Sequence, residues 1–389
     1  MQPRKYYDLH WMGLKDPVEI LQKEIQTWDR PFVELDCFGT DSAERIVEMI
    51  NKFCETHLGS GLRGYLFYGA SIGSTHGVQL EDNRELVIKV RPPAETNPYL
   101  SLDRASLKSI CQVMSWLSDR DYPCPKPVLG PTPLAKGLAT VEHLLDAGEL
   151  GNGFDPACRK IIASGFAELI GLLRSFEGTV SCLKHFQRSD SLYAQPHSKL
   201  FDFKRTAEGA EWIDAFAERA RRAEAHGDNR VIGHADWRVE HLRFDDGRIV
   251  ATYDWDSLAF CPETELVGIS AHGFTADWLL EGIRRIPQPM TFAPMLRITK
   301  ARAGSRFQSA SEDRYLPRAS IVSPMDRAAR TRLSRAKLIG KKTAGRICFE
   351  QKERLFCVNQ RADSGGPTVC GSHRWTPKAN VETRRKHNG

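Results

Sequence analysis

Gly233-His-Ala-Asp-Trp-Arg-Val-Glu-His-Leu-Arg-Phe244, followed by Thr252-Tyr-Asp-Trp-Asp256, is the stretch that decides the fold. Two β-like pieces, Leu242-Arg-Phe244 and Ile249-Val-Ala-Thr-Tyr253, flank Asp245-Asp-Gly247. An Asp-Gly pair between such pieces predicts a tight hairpin, because both central residues of its turn need positive φ. Asp254 follows Asp236 by 18 residues, so the two carboxylates fall at opposite ends of one hairpin. Trp237 and Trp255 beside them read as core.

Upstream the chain is β-rich. Tyr65-Leu-Phe-Tyr68 reads as a strand, and Leu86-Val-Ile-Lys-Val90 as a stronger one. Between them lies Ser71-Ile-Gly-Ser-Thr-His-Gly77. Such a turn of small residues lets backbone N–H groups approach phosphate oxygens. Lys89 stands in the middle of an apolar strand, where a charge needs a partner. The predicted helix over 106–117 holds no acid, which leaves Asp103 or Glu142 to serve. Ala139–Leu144 reads as an edge or linker strand. Residues 1–60 read as helical, with Asp41-Ser-Ala-Glu44 as a capping box. Downstream the texture turns helical. A long amphipathic stripe follows Pro156, a second helix spans about 208–225 with Trp212, Ile213, Phe216 and Ala220 inward, and another spans about 265–282.

The quoted stretch resembles the catalytic loop of the aminoglycoside phosphotransferase family, whose fold is protein-kinase-like. In that family His-x-Asp is followed by an Asn, then a hairpin that ends in a metal-binding Asp. The matching positions are His234, Asp236, His241 and Asp254. The resemblance covers roughly residues 60–282 and is most specific at this loop. It implies an α+β, two-lobed protein-kinase-like fold with a β-rich N-lobe and a mostly helical C-lobe. The implied divisions are an N-terminal helical extension (1–60), a nucleotide-binding lobe (61–140), a catalytic lobe (141–286) and a basic, low-order tail (287–389). Ala139–Leu144 would be the hinge between the lobes.

The implied activity is transfer of the γ-phosphate of ATP or GTP to a hydroxyl of a small molecule, with Mg²⁺. Asp236 would position or deprotonate the hydroxyl, with Arg238 and His234 in the same catalytic group. Asp254 and His241 would hold the metal. Lys89, Glu142, Ser71, Gly73 and Ser74 would hold the nucleotide. Three positions depart from the family pattern. Ala235 replaces a Gly, His241 replaces the Asn, and the helix that should carry the partner of Lys89 has no acid. An imidazole is a poorer match to Mg²⁺ than oxygen is. Asp256 could add a carboxylate, but on a strand it would point away from Asp254. These departures motivate the alternative of a catalytically impaired nucleotide-binding module. A His/Asp metallohydrolase would leave Lys89 and the Ser/Gly turn idle.

Composition agrees with a folded enzyme. The 389 residues are 41% hydrophobic and 27% charged, which excludes collagenous and wholly disordered chains. No apolar run suits a membrane helix, and the N-terminus lacks a signal-peptide core. The ten Cys form no CxxC pair, so free thiols in a reducing cytoplasm are expected. The net charge of +6 divides into −9 for residues 1–286 and +15 for 287–389. Leu, Ile, Val and Phe number only 17 in that last part, which predicts little ordered structure. A basic arm for nucleic acid and a change of reading frame near 287 are the other readings of this tail. The expected partner remains a small hydroxylated molecule, without membrane or nucleic acid.

Overall fold

The computed structural model describes residues 13–27, 32–93, 102–180, 183, 192–193, 211–222, 230–273, 346–351 and 354–359. Three helices come first: α1 (Pro17–Thr27), α2 (Phe32–Phe38) and α3 (Ala43–Leu58). The expected capping box is displaced by one residue. Ser42 is the N-cap of α3, and its Oγ accepts from the Arg45 amide.

Five strands follow: β1 (Leu62–Ala70), β2 (Ser74–Leu80), β3 (Glu85–Arg91), β4 (Pro127–Leu134) and β5 (Gly137–His143). They form one antiparallel sheet in the order β1-β2-β3-β5-β4. β5 is therefore an interior strand rather than an edge or a linker. β4 begins at Pro127 and also contains Pro131 and Pro133. It sits at the sheet edge, where a missing N–H is tolerated.

Alternation along β3 gives the sheet two different faces. Leu86, Ile88 and Val90 are fully buried in one core with Leu21, Cys37, Phe38, Ile46, Ile50, Tyr65, Val78 and Leu80. Among the described residues before 60, α1, α2 and α3 pack into the core of this sheet. Lys89 and Arg91 lie on the other face, toward the second lobe.

Helix α4 (Arg104–Ser118) is capped by Asp103, whose carboxylate accepts from the Ser106 amide. It contributes to the second core with α5 (Pro156–Leu173), which Asp155 caps at its N-terminus. That core also takes in β7 (Arg230–His234) and β10 (Leu258–Pro262), which pair antiparallel. A short strand β6 (Glu149–Leu150) joins the hairpin β8 (Leu242–Asp245) and β9 (Arg248–Thr252). The hairpin turn is as predicted, with φ of 42° at Asp246 and 70° at Gly247.

Helix α6 (Glu211–Arg222) buries Ile213, Ala217 and Ala220, whereas Trp212 and Phe216, expected inward, are exposed. Its true apolar face is made of small residues, and the aromatic pair pack on each other and on Arg219 instead. Helix α7 (Glu263–Gly273) closes this lobe among the described residues. In the basic tail the described residues form one antiparallel hairpin, β11 (Arg346–Gln351) with β12 (Arg354–Asn359), where no strand pattern was read. The rest of the tail lies outside the described residues. No described helix is long and apolar enough to cross a membrane.

Candidate active site

Strand β7 delivers Asp236 just beyond its end, and Asp254 lies between β9 and β10. The β7–β10 pairing thus draws both ends of the hairpin together. Ligand atoms of Asp236, His241 and Asp254 all lie within 4.8 Å of one another. The family resemblance of this stretch had implied that these three share one site.

His234, grouped above with Asp236 and Arg238, supports the loop from within. It is completely buried between Trp237 and Trp255. Its Nδ1 accepts the Asp236 amide at 3.2 Å, so the proton is on Nε2, which donates to the Tyr253 carbonyl at 2.9 Å. The ring therefore pins the residue before Asp254 to the backbone of Asp236. Burial pushes its pKa down to about 4, which keeps it neutral. It is a strut, and no part of it reaches solvent or substrate.

Asp254 adopts left-handed backbone, with φ 59° and ψ 45°. That conformation is disfavoured for a side chain with a Cβ. Both flanks hold it in place. The Tyr253 amide donates to the His241 carbonyl, and the Ser257 amide donates to the Asp254 carbonyl. Burial would raise the Asp254 pKa, but His241, Lys89, His234 and Arg91 outweigh it and hold the carboxyl far below its ordinary range.

Asp236 is 35% exposed and faces Arg238 Nη2 at 3.2 Å. Burial raises its pKa less than Arg238 and His241 lower it, so it is ionised. Arg238 is also held by Glu240, at 3.4 Å. It is therefore clamped between two carboxylates.

Lys89 finds the partner its apolar strand demanded. Its Nζ lies 3.0 Å from Glu142, and both side chains are about 10% exposed. Thr140 is the register partner of Lys89 on β5, so Glu142 is its diagonal neighbour on the same face. Of the two acids expected to serve, Asp103 is used as a helix cap instead.

The expected Ser71–Gly77 turn is shorter than read: residues 71–73 link β1 and β2, and Ser74–Gly77 already belong to β2. A Cβ on Gly73 would lie 2.5 Å from both the Arg91 guanidinium and the Val90 carbonyl, so only glycine fits there. Ser74, assigned to the nucleotide, is fully buried, and its Oγ lies 2.9 Å from His76 Nε2. Its hydroxyl points into the lobe, so any contact with phosphate would be through backbone. Ser71 is exposed at the tip of the turn.

Sequence reasoning missed one residue here and misjudged a second. Arg91 forms a buried ion pair with Asp256. Asp256 does turn away from Asp254, as expected, but because of a 3₁₀ turn (Trp255–Ser257) rather than a strand. The available signal was Arg91 itself, two residues after Lys89 and hence on the same strand face.

The sheet-based lobe, the helical lobe and the acidic pair between them define a kinase-like fold. Residues 74–278, more than half of the chain, match the phosphotransferase enzyme family, and the chain belongs to that family. The solved structure of an amicoumacin kinase with AMP-PNP and Ca²⁺ shares 11% identity at a TM-score of 0.50, covering 76% of this chain and 88% of that one. An AMP-bound spectinomycin phosphotransferase shares 10% at a TM-score of 0.47, covering 75% and 92%. A macrolide 2'-phosphotransferase from Brachybacterium faecium shares 12% at 0.43, covering 76% and 100%. Comparison with curated proteins gives no match.

Proposed function

We propose that this protein transfers the γ-phosphate of ATP or GTP to a hydroxyl group of a small molecule. The observation that carries the reading is the convergence of Asp236, His241 and Asp254, with Lys89, itself paired with Glu142, near enough to lower the Asp254 pKa. Family membership supports the reaction class.

Lys89, aimed by Glu142, meets the nucleotide phosphates. The backbone N–H groups of the turn at residues 71–73 would approach them. Asp236 orients the acceptor hydroxyl and receives its proton as the new O–P bond forms. Its low pKa makes it a weak base, so orientation is its larger contribution. Arg238, beside that carboxylate, would face the charge that builds on the transferred group. Asp254 and His241 would hold a divalent cation, which neutralises phosphate charge when bound. Positioning and electrostatics supply the catalysis.

The test is nucleotide turnover over a panel of hydroxylated acceptors, for wild type and Asp236→Ala, with Mg²⁺ and Mn²⁺ in parallel. Transfer by the wild type, lost by more than about a hundredfold in the variant while nucleotide still binds, is expected. Nucleotide binding without transfer by the wild type would instead establish an inert binding module.

A further inference from the structure

His241 is committed to one tautomer from both ends of its ring. Its Nδ1 lies 2.9 Å from the Asp236 carbonyl, which can only accept. Its Nε2 lies 3.2 Å from Arg238 Nη2, and a guanidinium can only donate. The proton is therefore on Nδ1, and Nε2 presents its lone pair. That nitrogen lies 3.8 Å from Asp254 Oδ2. A hydrogen bond from the far nitrogen to a carbonyl is the arrangement that fixes metal-binding histidines. His234 cannot play this part, because Nδ1 accepts the Asp236 amide and Nε2 donates to Tyr253.

We infer that the Asp254–His241 site selects a divalent first-row transition ion over Mg²⁺. Imidazole nitrogen binds such ions well, whereas Mg²⁺ takes oxygen ligands and parts reluctantly with water. A cation that takes Nε2 displaces Arg238 from that atom and leaves the guanidinium on Asp236 and Glu240. The inference deepens the phosphotransferase reading and rests on it for the role of the cation, though not for its binding.

The test uses the full chain with Mn²⁺ as the probe, with and without AMP-PNP. Protein carrying ¹⁵N-histidine is examined by pulsed electron paramagnetic resonance. Hyperfine coupling from one histidine nitrogen to Mn²⁺ is expected, and it should vanish in His241→Asn. Competition is read from the free Mn²⁺ signal. The ratio of Mg²⁺ to Mn²⁺ needed for half-displacement should fall by about tenfold or more in the variant. Bound Mn²⁺ without histidine coupling in the wild type would overturn the inference, as would failure to bind Mn²⁺ at all. The wild-type spectrum decides even if the variant does not fold. Phosphate transfer without histidine coupling would retain the enzyme and remove the metal preference. Coupling without transfer would do the reverse.

Discussion

At the scale of single residues, the site is a set of commitments made by neighbours. His234 and His241 both have their tautomers set by backbone partners, but in opposite senses. One thereby becomes a strut, and the other turns a lone pair toward Asp254. Lys89 and Glu142 are similarly interdependent, because each is a nearly buried charge. Lys89→Ala is expected to abolish measurable nucleotide binding and to cost about 3 kcal/mol of stability, since Glu142 is left unpaired. The double variant Lys89→Met, Glu142→Leu should recover most of the stability and none of the binding, because apolar residues of similar volume can replace a buried ion pair. Thermal unfolding and nucleotide titration of the same samples separate the two effects. Equal loss of stability in both variants would show that the pair holds the lobe together in some other way. The residues legible from sequence were Asp236, His241 and Asp254, through the family resemblance of the loop and the hairpin that they flank, and Lys89 by its incongruous charge. The direction of the Ser74 hydroxyl was not legible, because it depends on the buried ring of His76, two residues along the same strand.

At the scale of elements, strand β3 and the β8–β9 hairpin do most of the positioning. β3 sends Leu86, Ile88 and Val90 into the core and Lys89 and Arg91 toward the other lobe. The hairpin sets the reach between Asp236 and Asp254, and its tight turn depends on Gly247. Nothing lies within 4 Å of a Cβ placed there, so Gly247→Ala tests backbone conformation alone. Its φ of 70° predicts a loss of about 1 kcal/mol, read as a melting temperature lower by about 2–4 °C. An unchanged melting temperature would mean that the turn relaxes to another form. Hairpin, helices and the strong strands were readable because period and turn chemistry are local. β4 was not, since its prolines are acceptable only on a sheet edge, and edges are decided by strand order. The inward face of α6 was misread because aromatic residues outweighed the small ones that in fact pack.

At the scale of the whole molecule, stability and motion depend on buried groups far from any hairpin. His76 is fully buried between Tyr65 and Ser74, and burial pushes its pKa down to about 3. The unfolded chain takes up a proton there near pH 6.5, and the folded chain does not. The stabilising contribution is therefore complete above about pH 6.5 and declines below it, by about 1.4 kcal/mol per pH unit for this one residue. Unfolding measured from pH 7 to pH 5 should show a slope that is smaller by about one proton in His76→Gln. An identical slope in the variant would assign the acid sensitivity to other groups. The Arg91–Asp256 pair acts on the same scale, joining residues 165 positions apart in the chain. It is joined by two further ties from the same short segment: Thr252 Oγ1 donates to the Pro123 carbonyl, and Tyr253 Oη donates to the Leu145 carbonyl. Residues 252–256 thus act as a pin through the waist of the molecule. A pinned waist permits swivelling and resists separation, so in the reaction proposed above the accommodation of nucleotide falls to the rim, at the turn of residues 71–73, while the span between the two acidic residues and Lys89 stays nearly constant.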